Sequence, residues 1–137
     1  MRGKNKDNKA PQNKNWNQEE ITITAKEEEI MRLLWDGEIL SVKEMVNRMP
    51  EPKPHVNTVS TFVRQLEAKG YVGHKACGVS YKYFAILPKK SFSRKTLGDV
   101  VKNYFNNNMM NMVSALVDDE KLTVDQLKEL IEIIEKK

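Results

Sequence analysis

Between Val56 and Lys69 the chain reads VNTVSTFVRQLEAK, and Gly70 follows. At about 100° per residue, Val59, Phe62, Val63 and Leu66 share one stripe, the i, i+3, i+4, i+7 spacing of an amphipathic helix. The opposite stripe carries Asn57, Thr61, Arg64 and Ala68, flanked by Thr58, Ser60 and Gln65, with a single acid, Glu67, towards its edge. A solvated face usually mixes Glu with Lys for i, i+4 support. Short hydroxyls, amides and a guanidinium are instead the groups that reach base edges and phosphates. After Gly70 come two short segments, Tyr71 to Lys75 and Ser80 to Leu87, rich in aromatic and β-branched residues. They flank a Gly-bearing turn, Ala76 to Val79, which predicts a β-hairpin. Two helices, a polar-faced third helix and a hairpin form the order of a winged helix-turn-helix, in which the third helix enters the major groove.

The segments before that helix support the same order. Thr24 with Glu27 forms a capping box ahead of Ile30, Met31, Leu33, Leu34 and Trp35, and Gly37 is a plausible left-handed cap. Ile39 and Leu40 are expected to add a short strand to the hairpin. Ser41 with Glu44 caps a second helix, whose period runs through Val42, Met45, Val46 and Met49 until Pro50. The proline-rich connection Pro50 to Pro54 restricts the angle between the second and third helices, and the third begins at His55, Val56 or Asn57.

Charge sharpens the functional reading. Residues 1–52 hold nine basic and ten acidic groups, residues 53–95 nine and one, and residues 96–137 five and eight. The positive excess therefore coincides with the third helix, the hairpin and the segment just beyond, as a phosphate-binding surface requires. Asn57, Thr58, Ser60, Thr61 and Arg64 are the candidate reading residues. Lys75 and Lys82, with Lys89 and Lys90 after the hairpin, are the candidate backbone contacts. His74 is expected at the strand surface or on a phosphate.

Met1 to Asn17 is dominated by Lys and Asn, with Trp16 as its only large apolar residue, and reads as part of a flexible basic tail over residues 1–20. From about Ser91 a helical pattern resumes. Leu97, Val100, Val101, Tyr104 and Phe105 precede an interruption at Asn106 to Asn108, and Met109, Met112, Val113, Leu116 and Val117 follow it. After a loop at Asp118 to Leu122, Thr123 with Gln126 caps a last helix bearing Leu127, Leu130, Ile131 and Ile134. These apolar faces predict a homodimer, the alternative being that the helices fold back on the first domain. The dimer's candidate contacts are Val101, Tyr104, Phe105, Met112, Val113, Leu116, Leu127, Leu130, Ile131 and Ile134.

The expectation is a mainly α protein with a small β-hairpin: a winged-helix DNA-binding domain over residues 21–90 and a helical dimerisation domain over 91–137. No apolar run approaches the ~20 residues of a membrane span, and no secretory signal is expected. With one cysteine, Cys77, no intrachain disulfide forms, which fits a cytoplasmic protein. His55, His74 and Cys77 make neither a metal set nor a nucleophile-base pair, so no catalytic residue, metal or cofactor is assigned. The alternative is a winged-helix module whose polar helix face binds a protein instead of DNA.

Several strings, in this joint order, resemble the penicillinase repressor family, the BlaI/MecI-type repressors. They are AKEEEIMRLLW (Ala25 to Trp35), NTVSTFVRQL (Asn57 to Leu66) with Lys69-Gly70, Tyr81 to Tyr83 in the wing, and LTVDQLKEL (Leu122 to Leu130). The similarity covers about residues 21–137 and implies a dimeric repressor that binds a palindromic double-stranded operator. Where that family often has Ser-Pro-Lys-Thr-Ile-Arg, this chain has His55 to Ser60, so two basic side chains are replaced by neutral ones and a different target sequence is implied. The Asn-Phe bond at which antibiotic-responsive members are cleaved aligns with Ala115-Leu116, so the resemblance does not by itself imply that cleavage, and a regulatory sensor or protease stays open. No cysteine follows Cys77, unlike the copper-responsive members.

Overall fold

The computed structural model describes residues 16–137. Its elements run α1 (Ala25–Trp35), α2 (Val42–Asn47), α3 (Val56–Ala68), β1 (Val72–Cys77), β2 (Ser80–Ala85), α4 (Lys89–Tyr104), α5 (Met109–Asp118) and α6 (Val124–Glu135). The fold is mainly helical with one antiparallel hairpin, the winged-helix order followed by C-terminal helices. It divides into two compact units between Lys95 and Thr96, inside α4.

Local signals set the starts of α1 and α2. In α1 the Thr24 hydroxyl accepts from the Glu27 amide at 3.2 Å while a Glu27 carboxylate oxygen accepts from the Thr24 amide at 2.9 Å. Ser41 and Glu44 repeat the arrangement for α2. Two otherwise orphaned amides are satisfied at each start, which fixes where the helix begins. Gly37 ends the α1 turn at φ +89°, a backbone region where a Cβ would be strained.

The first unit is built on one core. Ile30, Met31 and Leu34 of α1, Met45 and Val46 of α2, and Val59, Val63 and Leu66 of α3 bury their stripes against one another and against Val72 of β1 and Leu87. Phe62, on the same α3 stripe, is partly buried at the edge of that core. The expected extra strand at Ile39 and Leu40 is a single antiparallel bridge. Leu40 and Tyr83 exchange backbone hydrogen bonds of 3.0 and 2.7 Å, which ties the base of the hairpin to the chain before α2. Within the hairpin Phe84 lies over Gly73, where an added Cβ would come to 2.9 Å from the ring. Trp35 donates its indole N–H to the Leu87 carbonyl at 2.8 Å and packs on Phe92, which fixes the first turn of α4.

Of the expected tail over residues 1–20, residues 1–15 lie outside those described. From residue 16 the chain is packed. Trp16 sits against the core with its ring 5.8 Å from that of Tyr71, and Gln18–Glu20 makes a short 3-10 turn before the buried Ile21. These residues belong to the first unit, and the composition around Trp16 concealed this.

In the second unit, Asn106 and Asn107 take left-handed conformations at φ 53° and 60°, stopping α4 where the sequence predicts an interruption. Asn108 then caps α5, its side-chain oxygen accepting from the amides of Met110 and Asn111. Thr123 and Gln126 form the capping box of α6. Among the described residues no helix is long and apolar enough to cross a membrane.

Candidate nucleic-acid interface

The core stripe of α3 leaves its other face in solvent. Asn57, Thr58, Thr61 and Arg64 are exposed, and Ser60 is half-buried. The Thr61 hydroxyl donates to the Asn57 carbonyl at 3.0 Å, and the Arg64 guanidinium donates to the Ser60 hydroxyl at 3.0 Å. Neither bond pairs the guanidinium with an acid, so it can be redirected to a phosphate or a base at little cost. The structure thus brings the five reading candidates together on one helix.

His55 caps that helix. Its Nδ1 accepts from the Asn57 amide at 3.1 Å, while its carbonyl accepts from the amides of Thr58 and Val59. The three possible starts left by the sequence therefore resolve to Val56, with His55 as the cap. The local signal was an acceptor-bearing side chain immediately before the first periodic residue, but His is not among the usual cap types.

The cations divide into two groups once the fold is known. Lys53 donates to the carbonyls of Val46, Asn47 and Met49, the last at 2.7 Å, and so closes the C-terminal end of α2 after the cis Glu51–Pro52 bond. Lys69 pairs with the buried Glu27 at 2.8 Å and also donates to the Thr22 carbonyl at 3.1 Å. Lys82 lies 3.5 Å from Glu44. The backbone hydrogen bond at Ser41 holds the Glu44 carboxyl below its ordinary value, and the charge of Lys82 adds to this. Lys53, Lys69 and Lys82, all counted in the basic segment, thus have partners within the fold, and Lys82 is held by α2 instead of standing alone on the wing. Arg64, Lys89, Lys90 and Arg94 are exposed. Lys75 stands directly opposite Lys82 in the hairpin register. Like charges placed across from each other disfavour the pairing, and a polyanion would relieve that repulsion.

The other face of the hairpin carries His74, Tyr81 and Tyr83. The His74 ring lies 4.9 Å from Tyr81 and 5.6 Å from Tyr83, and its Nδ1 is 2.5 Å from a carboxylate oxygen of Glu67 on α3. His74 is exposed at the strand surface, one of the two places the sequence left for it, and is also attached to α3. Burial, then the nearby Glu67 charge, raises the Tyr83 hydroxyl above the ordinary tyrosine value.

The dimerisation candidates are not alike in the single chain. Val101 is buried, and Phe105, Met112, Val113 and Leu127 are half-buried. Tyr104, Leu116, Leu130, Ile131 and Ile134 are exposed.

Comparison with known proteins adds an independent observation. The family model described as Penicillinase repressor matches residues 23–136. The methicillin resistance regulatory protein MecI of Staphylococcus aureus (strain N315) is 22% identical over 116 residues, which is 84% of this chain and 94% of that protein. The MecI proteins of Staphylococcus epidermidis and Mammaliicoccus sciuri match at the same identity and coverage.

Proposed function

The chain belongs to the penicillinase repressor family and is a DNA-binding transcriptional repressor, and we propose that it acts as a homodimer on a palindromic operator. In this reading α3 reads the major groove through Asn57, Thr58, Ser60, Thr61 and Arg64. The hairpin and the first turns of α4 hold the backbone through Lys75, Lys89 and Lys90, with Lys82 contributing only if it leaves Glu44. The C-terminal helices bring two reading helices to a two-fold site.

The observation that carries the reading is the exposed face of α3. Its exposed positions from Asn57 to Arg64 are polar, its acid Glu67 is paired with His74, and it is braced by a stripe whose Val59, Val63 and Leu66 the core buries. Asn57 stands in the first turn, where recognition-helix residues reach deepest into the groove, while Arg64 lies two turns later and is placed for a phosphate. The repressor works by binding, without catalysis, in the cytoplasm.

Selection of bound sites from a random duplex library tests this reading. The expected product is a two-fold symmetric sequence whose half-sites lie about 10 base pairs apart or a multiple of that. Affinity for it should fall steeply as salt rises. Enrichment of no sequence, with salt-insensitive capture of a protein partner by the α3 face, would favour the protein-interaction module instead.

A further inference from the structure

Glu67 is an unexpected residue on this surface. It is the one acidic group between residues 53 and 95, it sits on the reading helix, and its charge opposes the approach of phosphates. Its geometry gives it another task. The carboxylate reaches across from α3 to Nδ1 of His74 on β1 at 2.5 Å, and the His74 ring is held between Tyr81 and Tyr83 of β2. The base of the hairpin is already fixed by the Leu40–Tyr83 bridge. Beyond it lie Lys75, the Gly78-Val79 turn and Tyr81, and Val79 and Tyr81 are exposed. His74 stands opposite Tyr83, on the rung of that bridge, and its ring packs on Tyr81 farther out, so the Glu67–His74 contact carries a brace from α3 through the base of the hairpin to the start of that outer half.

We propose that Glu67 and His74 form a strut that sets the wing against the reading helix, so that both meet one DNA surface together. Glu67 is a positioning residue: it touches no DNA and acts through His74. The proposal rests on the reading of the wing as a backbone contact. It reverses the sign that charge alone predicts, because removing an acid from a basic surface should strengthen binding to any duplex.

The test compares Glu67→Ala, Glu67→Gln, His74→Phe and the Glu67→Ala/His74→Phe double variant in the full chain, on the selected operator and on a random duplex. Both side chains of the pair are about one-third exposed, 32% for Glu67 and 39% for His74, so thermal unfolding should be nearly unchanged. Glu67→Ala should weaken operator binding about two- to fivefold, the range expected of an exposed pair. Glu67→Gln, which keeps an acceptor for the imidazole N–H, should restore most of that loss. His74→Phe keeps a ring between the tyrosines and should behave like Glu67→Ala, with no further loss in the double variant. Tighter operator binding by Glu67→Ala, or additive losses in the double variant, would overturn the strut. Lys75→Ala separates the two levels of the proposal. If it changes neither affinity nor salt slope, the wing does not contact DNA, and the underlying reading has failed instead of the strut.

Discussion

Helices α3 and α6 have nearly the same sequence signature and opposite surroundings. Each is capped at its N-terminus, each spans about a dozen residues, and each carries an apolar stripe at helical spacing. In α3 the stripe is closed off: Val59 is 2% exposed and Val63 and Leu66 0%. In α6 Leu130, Ile131 and Ile134 are 46, 52 and 69% exposed. Periodicity reports that a face is apolar, and it is silent on what covers that face. For α3 the cover is the rest of its unit. For α6 a second copy of the chain is the cover that the proposed dimer supplies.

The sharpest way to break this contrast is to cut the same amount of apolar surface from each helix. Leu66→Ala leaves a cavity in a packed core and should cost about 2–5 kcal/mol, seen as a large fall in the thermal midpoint. Ile131→Ala should cost less than about 1 kcal/mol in the monomer. Equal losses in dilute, monomeric protein would mean that α6 is packed as tightly as α3.

A second difference lies in how α3 is anchored at its far end. Lys69, which caps it, pairs with a carboxylate that is only 1% exposed. Lys69→Ala strands that charge and should cost about 1–3 kcal/mol, less than a fully buried pair would because Lys69 itself is one-third exposed. Glu27→Gln keeps an oxygen for the Thr24 amide and should cost less, as chemical denaturation of the two variants would show. Should Lys69→Ala be neutral, the anchoring of α3 would rest on its apolar stripe alone.

Third, Ile131→Glu should shift stability by no more than about 0.5 kcal/mol in the monomer while abolishing the dimer, measured by sedimentation across a concentration series. Operator affinity should fall with it. A dimer that survives would move the interface away from α6.

The smallest effect concerns Tyr83, whose hydroxyl is raised above its unfolded value. Its contribution to stability is complete below the unfolded value, near pH 10, and is lost as pH climbs through the folded one. Tyrosine absorbance should show a residue ionising above the ordinary tyrosine value, and Glu67→Gln should move it back in part. Absence of any such late ionisation would deny that the wing base is closed against α3.

Much of the fold was legible because its signals are local. The pairs Thr24/Glu27, Ser41/Glu44 and Thr123/Gln126 lie three residues apart, and all three form the reciprocal cap their spacing predicts. The apolar stripe of α3 and the hairpin are legible for the same reason. The distribution of charge was less so. Counting placed nine cations in one segment, yet Lys69 answers Glu27 across 42 residues and Lys82 answers Glu44 across 38. Composition cannot show which cations are spent inside the fold, because that depends on which helix ends meet. Trp16 was hidden in a similar way: polar neighbours set the character of its segment, and its packing on Tyr71 is a contact between distant residues.

One oxygen of Glu27 accepts from both the Thr24 amide, at 2.9 Å, and Lys69, at 2.8 Å. The first turn of one helix and the end of another, far apart in sequence, therefore share a single atom. Fraying at either place exposes the same buried carboxylate, so neither can open cheaply by itself. Amide exchange in the first turn of α1 and in the last turn of α3 should accordingly proceed through one common opening, with a single protection free energy for both. The start of the domain and the far end of its reading helix then behave as one cooperative element.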